Sequence, residues 1–128
     1  QIASVQSLTF KSNSSGQTLS ISEVMNGSII RQGPSGDYTD TLPSAANLVA
    51  AVPNAAQGMF FDFNFYNATG AVATLQGGSG FIKLDNNAAS FDLAATKFRA
   101  FRLFFANVSG GSEAVYMVPL STAMDPLT

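Results

Sequence analysis

Eight carboxylates and many serine and threonine hydroxyls are the side chains here that could do chemistry, because the chain has no histidine and no cysteine. A serine nucleophile needs a base beside it. Lysine would have to serve, and no Ser-x-x-Lys spacing occurs. The run Gly77-Gly78-Ser79-Gly80 lacks the Gly-x-Ser-x-Gly spacing of a nucleophile elbow and reads as a turn. Glycoside hydrolysis uses two facing carboxylates. Asp62 draws attention as an acid set in an aromatic strand, where alternation places it on a solvent or interface face. A hard cation such as calcium takes oxygen ligands. Asp37 and Asp40 in the segment QGPSGDYTD (32–40), and Asp85 beside Asn86 and Asn87, are the candidates, and the same residues are ordinary turn formers. Zinc knuckles and Walker-type phosphate loops are excluded by composition and spacing. The expectation is a protein without enzymatic activity, catalytic residues or cofactor.

Charge narrows the partners. Six basic against eight acidic residues give a net charge of -2, and charged residues are 11% of the chain, well under the usual quarter or so. Lys97, Arg99 and Arg102 are the one basic cluster, too small for the basic face that nucleic acid requires. No apolar run reaches the length of a membrane-spanning helix, so no membrane insertion is expected. With 46% hydrophobic residues, the exposed surface must be built largely from Ser, Thr, Asn, Gln, Gly and Ala. Such a surface suits packing against copies of the same chain. The chain begins at Gln1 rather than Met, as a processed chain or one part of a longer protein would. Asn13, Asn26, Asn67 and Asn107 each open an Asn-x-Ser/Thr sequon and are candidate glycosylation sites, although turn composition alone also yields such triplets.

The elements that would carry these residues follow a period of two. Alternation predicts strands over 5–10, 19–24, 28–31, 59–66, 71–75, 81–84, 88–93, 97–108 and 114–118, with turns at 11–17, 67–70, 76–80, 85–87 and 109–112. Asn26-Gly27 is the strongest two-residue hairpin signal. Residues 32–40 read as a loop. Pro43 to Val52 is the one helical candidate, with an apolar stripe of Ala45, Leu48, Val49 and Val52 and Pro53 beyond it. Phe61, Phe63 and Phe65 share one face of their strand and belong to the core. Phe101, Leu103 and Phe105 do the same in the 97–108 strand, whose other face carries Phe98, Ala100, Arg102 and Phe104. A strand apolar on both faces needs a second packing partner. The predicted interface residues are therefore Phe98, Arg102 and Phe104, with Tyr66 beside them. The pattern predicts one all-β domain over 1–128, an antiparallel β-sandwich of jelly-roll type with about eight strands and a short helix near 43–52.

Several stretches carry a resemblance. They are Thr41-Leu-Pro-Ser-Ala-Ala-Asn-Leu-Val-Ala-Ala-Val-Pro, then Phe61-Asp-Phe-Asn-Phe-Tyr-Asn, Thr74-Leu-Gln-Gly-Gly-Ser-Gly, the strand 98–108, and Ser109-Gly-Gly-Ser-Glu-Ala-Val-Tyr. Over roughly 41–119 the chain resembles β-rich domains of virion structural proteins of large DNA viruses and tailed phages: fibre, spike and capsid-decoration proteins. Phenylalanine replaces many of the family's aliphatic positions, and 1–40 has no counterpart. The resemblance supplies no catalytic residues. It implies a homotrimer on the virion exterior, in contact with other capsid proteins. The alternative is a carbohydrate- or receptor-binding module that meets a host-surface glycan through loops 32–40, 76–80 and 109–112, with Tyr38, Tyr66 and Tyr116 as aromatic platforms.

Overall fold

The computed structural model describes residues 8–85 and 91–120. The part of the first predicted strand before Leu8, the turn residues Asn86 and Asn87, and the start of the 88–93 strand lie outside the described residues. Nine strands and two helices follow in the order β1 (Leu8–Lys11), α1 (Ile21–Met25), β2 (Ser28–Arg31), β3 (Tyr38–Thr41), α2 (Ala45–Ala51), β4 (Phe60–Asn67), β5 (Ala73–Gln76), β6 (Phe81–Lys83), β7 (Asp92–Leu93), β8 (Phe98–Asn107) and β9 (Ala114–Pro119). They form a six-stranded sheet, β1-β2-β4-β8-β9-β6, and a three-stranded sheet, β3-β5-β7. The protein is thus mostly β and two-sheeted, as the alternation predicted.

Strand direction departs from the expected antiparallel arrangement. The pairs β1–β2, β2–β4, β3–β5 and β6–β9 are parallel, while β4–β8, β8–β9 and β5–β7 are antiparallel. Parallel neighbours need a crossover of about a dozen residues or more. Each parallel pair here has one: residues 12–27 with α1, residues 32–59 with β3 and α2, and comparably long returns for the other two.

The first crossover explains why the 19–24 strand does not form. Ser20 accepts the Glu23 N–H at 3.2 Å, and Glu23 accepts the Ser20 N–H at 2.8 Å, a complete capping box. Leu19 and Val24, flanking the box as a hydrophobic staple, are both buried. Two local signals for helix therefore outweigh an alternation only six residues long. Asn26 is the C-cap of α1, and Gly27 follows at φ 100°, so Asn26-Gly27 ends a helix and is not a hairpin turn. The other helix is close to expectation, Ala45–Ala51, with Ser44 as its N-cap accepting the Asn47 N–H at 3.1 Å.

Both sheets and both helices share one core. The six-stranded sheet contributes Ile29, Phe63, Phe65, Phe101, Leu103 and Met117; Ala73, Leu75 and Leu93 face them from the other sheet, with Leu19, Leu42, Leu48 and Phe91 filling between. Each fully buried Phe contributes roughly 1.5–3 kcal/mol. β3, read from sequence as loop, is a strand whose inward positions are Tyr38 and Asp40. The buried carboxylate hid its alternation.

Candidate interaction surface

The two sheets turn very different outer faces to solvent. Outward positions of the three-stranded sheet are Thr39, Thr41, Thr74, Gln76 and Asp92, hydroxyl, amide and carboxylate groups content in water. Every strand of the six-stranded sheet turns at least one apolar side chain outward, with Ser28, Asp62, Asn64 and Arg102 as polar residues among them. Registers place them in rows across the sheet. Phe10, Ile30, Tyr66 and Phe98 form the first row, and Leu8, Ser28, Asn64 and Ala100 the second. Asp62, Arg102 and Val118 form the third, and Phe60, Phe104, Tyr116 and Ile82 the fourth. Phe10 is 63% exposed, Phe60 52% and Ile82 47%.

Within the third row, Arg102 and Asp62 stand directly opposite each other. Their ion pair is bidentate, Nε to Oδ1 at 2.7 Å and Nη2 to Oδ2 at 3.1 Å. The hydrogen bond from Arg102 holds the Asp62 carboxyl below the usual carboxylate range and raises the guanidinium in turn. The Arg102 Cζ also lies 4.3 Å from the Phe60 ring centroid, and Phe60 contacts Phe104 at 5.3 Å between centroids. Cation and carboxylate thus cancel on the face. Between the first two rows lies a depression of about 230 Å³, lined by Leu8, Ser28, Ile30, Asn64, Tyr66 and Phe98.

All four predicted interface residues, Tyr66, Phe98, Arg102 and Phe104, fall on this one face. Phe10, Ile30, Phe60, Ile82 and Tyr116 share the face and were not among the residues grouped from sequence. Phe60 was within reach, since it shares parity with Asp62. The others depended on strand registers that a single chain does not display.

Other sequence candidates are dispersed. Asp40 is wholly buried, its carboxylate committed to Arg31 and to the Gln17 N–H, and so is not placed to receive a cation. Asp37 accepts the Val72 N–H at 2.9 Å. Asp85 lies near Arg99, whose burial lowers its pKa while Asp85 and Asp92 raise it. Among the described residues no group of three or more acidic side chains converges as a metal site would require. Asn67 is fully buried, so a glycan there is incompatible with the fold. Asn26 is the half-buried helix cap, and Asn13 and Asn107 are exposed. Arg99 and Arg102 point to opposite faces of β8, which breaks up the basic cluster.

The three predicted binding loops do not form one site. Loops 76–80 and 109–112 adjoin, the Val115 N–H bonding to the Gly80 carbonyl, whereas 32–37 leads into the far end of β3 beside Ala73. Tyr38 is buried rather than a platform; Tyr66 and Tyr116 lie on the six-stranded face. A second cavity of about 360 Å³, lined by Met25, Val52, Met59, Phe60, Phe61 and Phe105, offers no polar side chain to orient a ligand. No helix among the described residues is long and apolar enough to cross a membrane. Comparison with known proteins finds no matching family model, no matching curated protein and no matching solved structure.

Proposed function

We propose that this protein is a structural assembly component that associates with copies of itself through the outer face of its six-stranded sheet. The setting proposed for it, from the resemblance over 41–119, is the exterior of a virion among other capsid proteins. One observation carries the self-association: all six strands turn apolar side chains outward, interrupted by Ser28, Asn64 and the Asp62–Arg102 pair, while the three-stranded sheet turns out hydroxyls and amides. Four rows across six strands cover roughly 24 Å by 20 Å at ordinary strand spacing and rise. A face of that extent, roughly 500 Å² in footprint with its polar positions included, is the size of the largest patches that monomers expose. It lies below the ~800 Å² per partner of a standard interface, in the range of weaker association that dilution can reverse. Among the described residues the rows of this face carry one cation and one anion, already paired, so two copies can approach without net repulsion.

Light scattering behind a sizing column, over a dilution series, tests this reading. An oligomer that dissociates on dilution, and that weakens when outward residues are replaced, supports it. A monomer at every concentration overturns self-association.

A further inference from the structure

The same face carries a projection at one end and a recess at the other. The projection is the Phe60–Phe104 pair, with the Phe60 ring braced by the Arg102 guanidinium. The recess is the depression of about 230 Å³ between Leu8, Ile30, Tyr66 and Phe98. The recess is a shallow, open and largely apolar surface against which the flat of an aromatic ring can rest. The two features lie at opposite ends of the paired strands β4 and β8. From Phe60 to Tyr66 the chain advances six residues, ~20 Å. The midpoint falls at the Phe63–Phe101 pair, whose side chains face the core.

Resting on the self-association reading above, we infer that two copies pack face to face about a two-fold axis that lies between the sheets, runs across the strands and passes over the Phe63–Phe101 pair. Such an axis reverses position along the strands and preserves position across them. Phe60 of each copy then sits over the Tyr66 end of the other, against the opposing recess, and Phe104 lies over the Phe98 that forms the recess wall. The contact is isologous, each half repeating the other.

Charge points to a second copy as the occupant. Under this operation Asp62 meets the other copy's Asn64, and Arg102 meets its Ala100. No like charges face each other, and the Asp62–Arg102 pairs lie either side of the axis beside neutral groups. On β9, Val118 meets the other copy's Leu120, apolar against apolar. Twisted sheets stack with strand directions roughly aligned, which this arrangement allows. An even-numbered assembly follows, in place of the trimer that the resemblance implies.

The chain has no cysteine, so introduced thiols are unique. Phe98→Cys and Phe104→Cys proteins are prepared separately and mixed, then treated with a bis-maleimide much shorter than the ~20 Å that separates like positions across the axis. The mixture is expected to give a covalent dimer, and neither protein alone. Ala100→Cys, which keeps every aromatic ring and lies next to the axis, is expected to cross-link with itself. If the unmodified protein associates but forms a trimer, if either ring-replaced protein cross-links alone, or if Ala100→Cys does not cross-link with itself, the two-fold geometry is overturned while self-association stands. If the unmodified protein is monomeric at every concentration, both fail together.

Discussion

Arg31 and Asp40 form an ion pair with both side chains wholly removed from solvent. The pair ties the end of β2 to β3, and the rest of the guanidinium gathers the chain between β1 and α1. Its two terminal nitrogens donate to the carbonyls of Lys11, Asn13, Ser15 and Gln32. Asp40 also accepts the Gln17 N–H at 2.9 Å. A Cβ at Gly16 would lie 2.1 Å from the Thr39 carbonyl oxygen, so only glycine lets this segment lie against β3. Removing one partner of a buried pair leaves the other charge stranded and costs about 3–5 kcal/mol. Asp40→Ala and Arg31→Met are each expected to lower stability by that amount in urea unfolding. The Arg31→Met, Asp40→Leu double variant is expected to lose clearly less than the sum of the single changes, since no unpaired charge remains.

Asn67 plays a comparable part for the strand ends. Its Oδ1 accepts from the Tyr38 hydroxyl at 2.7 Å and from the Thr69 hydroxyl at 2.7 Å, while Nδ2 donates to the carbonyls of Ala71 and Leu93. Leaving buried donors and acceptors unsatisfied costs about 1–3 kcal/mol for each group, so Asn67→Ala is expected to cost at least ~3 kcal/mol. Asn67→Asp keeps the acceptor but aims a carboxylate at carbonyl oxygens, and is expected to be destabilised as well. Expression in a eukaryotic secretory host is expected to leave Asn67 bare in the folded protein, with any glycan confined to exposed sequons such as Asn13 and Asn107. Mass spectrometry of the glycopeptides reads this directly.

Tyr38 extends that network and gives the fold an alkaline limit. Burial is the main cause that pushes its phenol up to about 12 from an ordinary 10.0. The folded state therefore holds the phenol proton more tightly than the unfolded state does. The stability from this group is complete below pH 10 and is lost as pH rises from 10 towards 12. Ultraviolet titration of the folded protein is expected to show a tyrosine step near pH 12 that Tyr38→Phe removes.

Asp62 has the opposite sign. Its hydrogen bond from Arg102 holds the folded pKa below the ordinary 3.8. The pair's contribution is present above the unfolded pKa and is lost as pH falls through the folded one. Both side chains are substantially exposed, so solvent and salt screen the effect and its stabilising contribution is small. NMR titration of the Asp62 carboxyl is expected to give a midpoint below the ordinary value, and Arg102→Gln is expected to raise it.

What the sequence disclosed follows from which forces act locally. The alternation of β4 and β8, the core phenylalanines and the helix ended by Val52 were legible because burial and chain geometry repeat within a few residues. α1 was misread although its signal was present: Ser20 and Glu23 stand at capping-box spacing, with Leu19 and Val24 as the staple. β3 was missed because a buried Asp40 makes sense only once Arg31 is known to face it. Parallel pairing and the rows of the outer face depend on contacts between distant segments, which one chain's pattern does not encode. Tyr66, Phe98, Arg102 and Phe104 do share one side of the sheet, because strand parity and a two-faced apolar strand suffice to place them there.

Phe101 and Phe104, three residues apart on β8, separate folding from assembly. Phe101 is completely buried and stacks on Phe91 at 6.0 Å between centroids, so Phe101→Ala is expected to cost the monomer about 3–5 kcal/mol. Phe104 is half-buried on the outer face, where its ring contact is Phe60. An aromatic pair of that kind adds about 0.5–1.5 kcal/mol on top of the area the ring buries, and Phe104 is only half-buried, so Phe104→Ala is expected to cost the monomer clearly less than Phe101→Ala. Its effect on assembly is expected to be larger. An aromatic anchor packed at an interface costs about 2 kcal/mol or more on truncation, a rise in the dissociation constant of roughly 30-fold. Urea unfolding at low protein concentration measures the first quantity, and light scattering across a dilution series measures the second. A Phe104→Ala protein that unfolds like a core variant, or that assembles as tightly as the parent, would contradict the placement of this residue in a self-association surface.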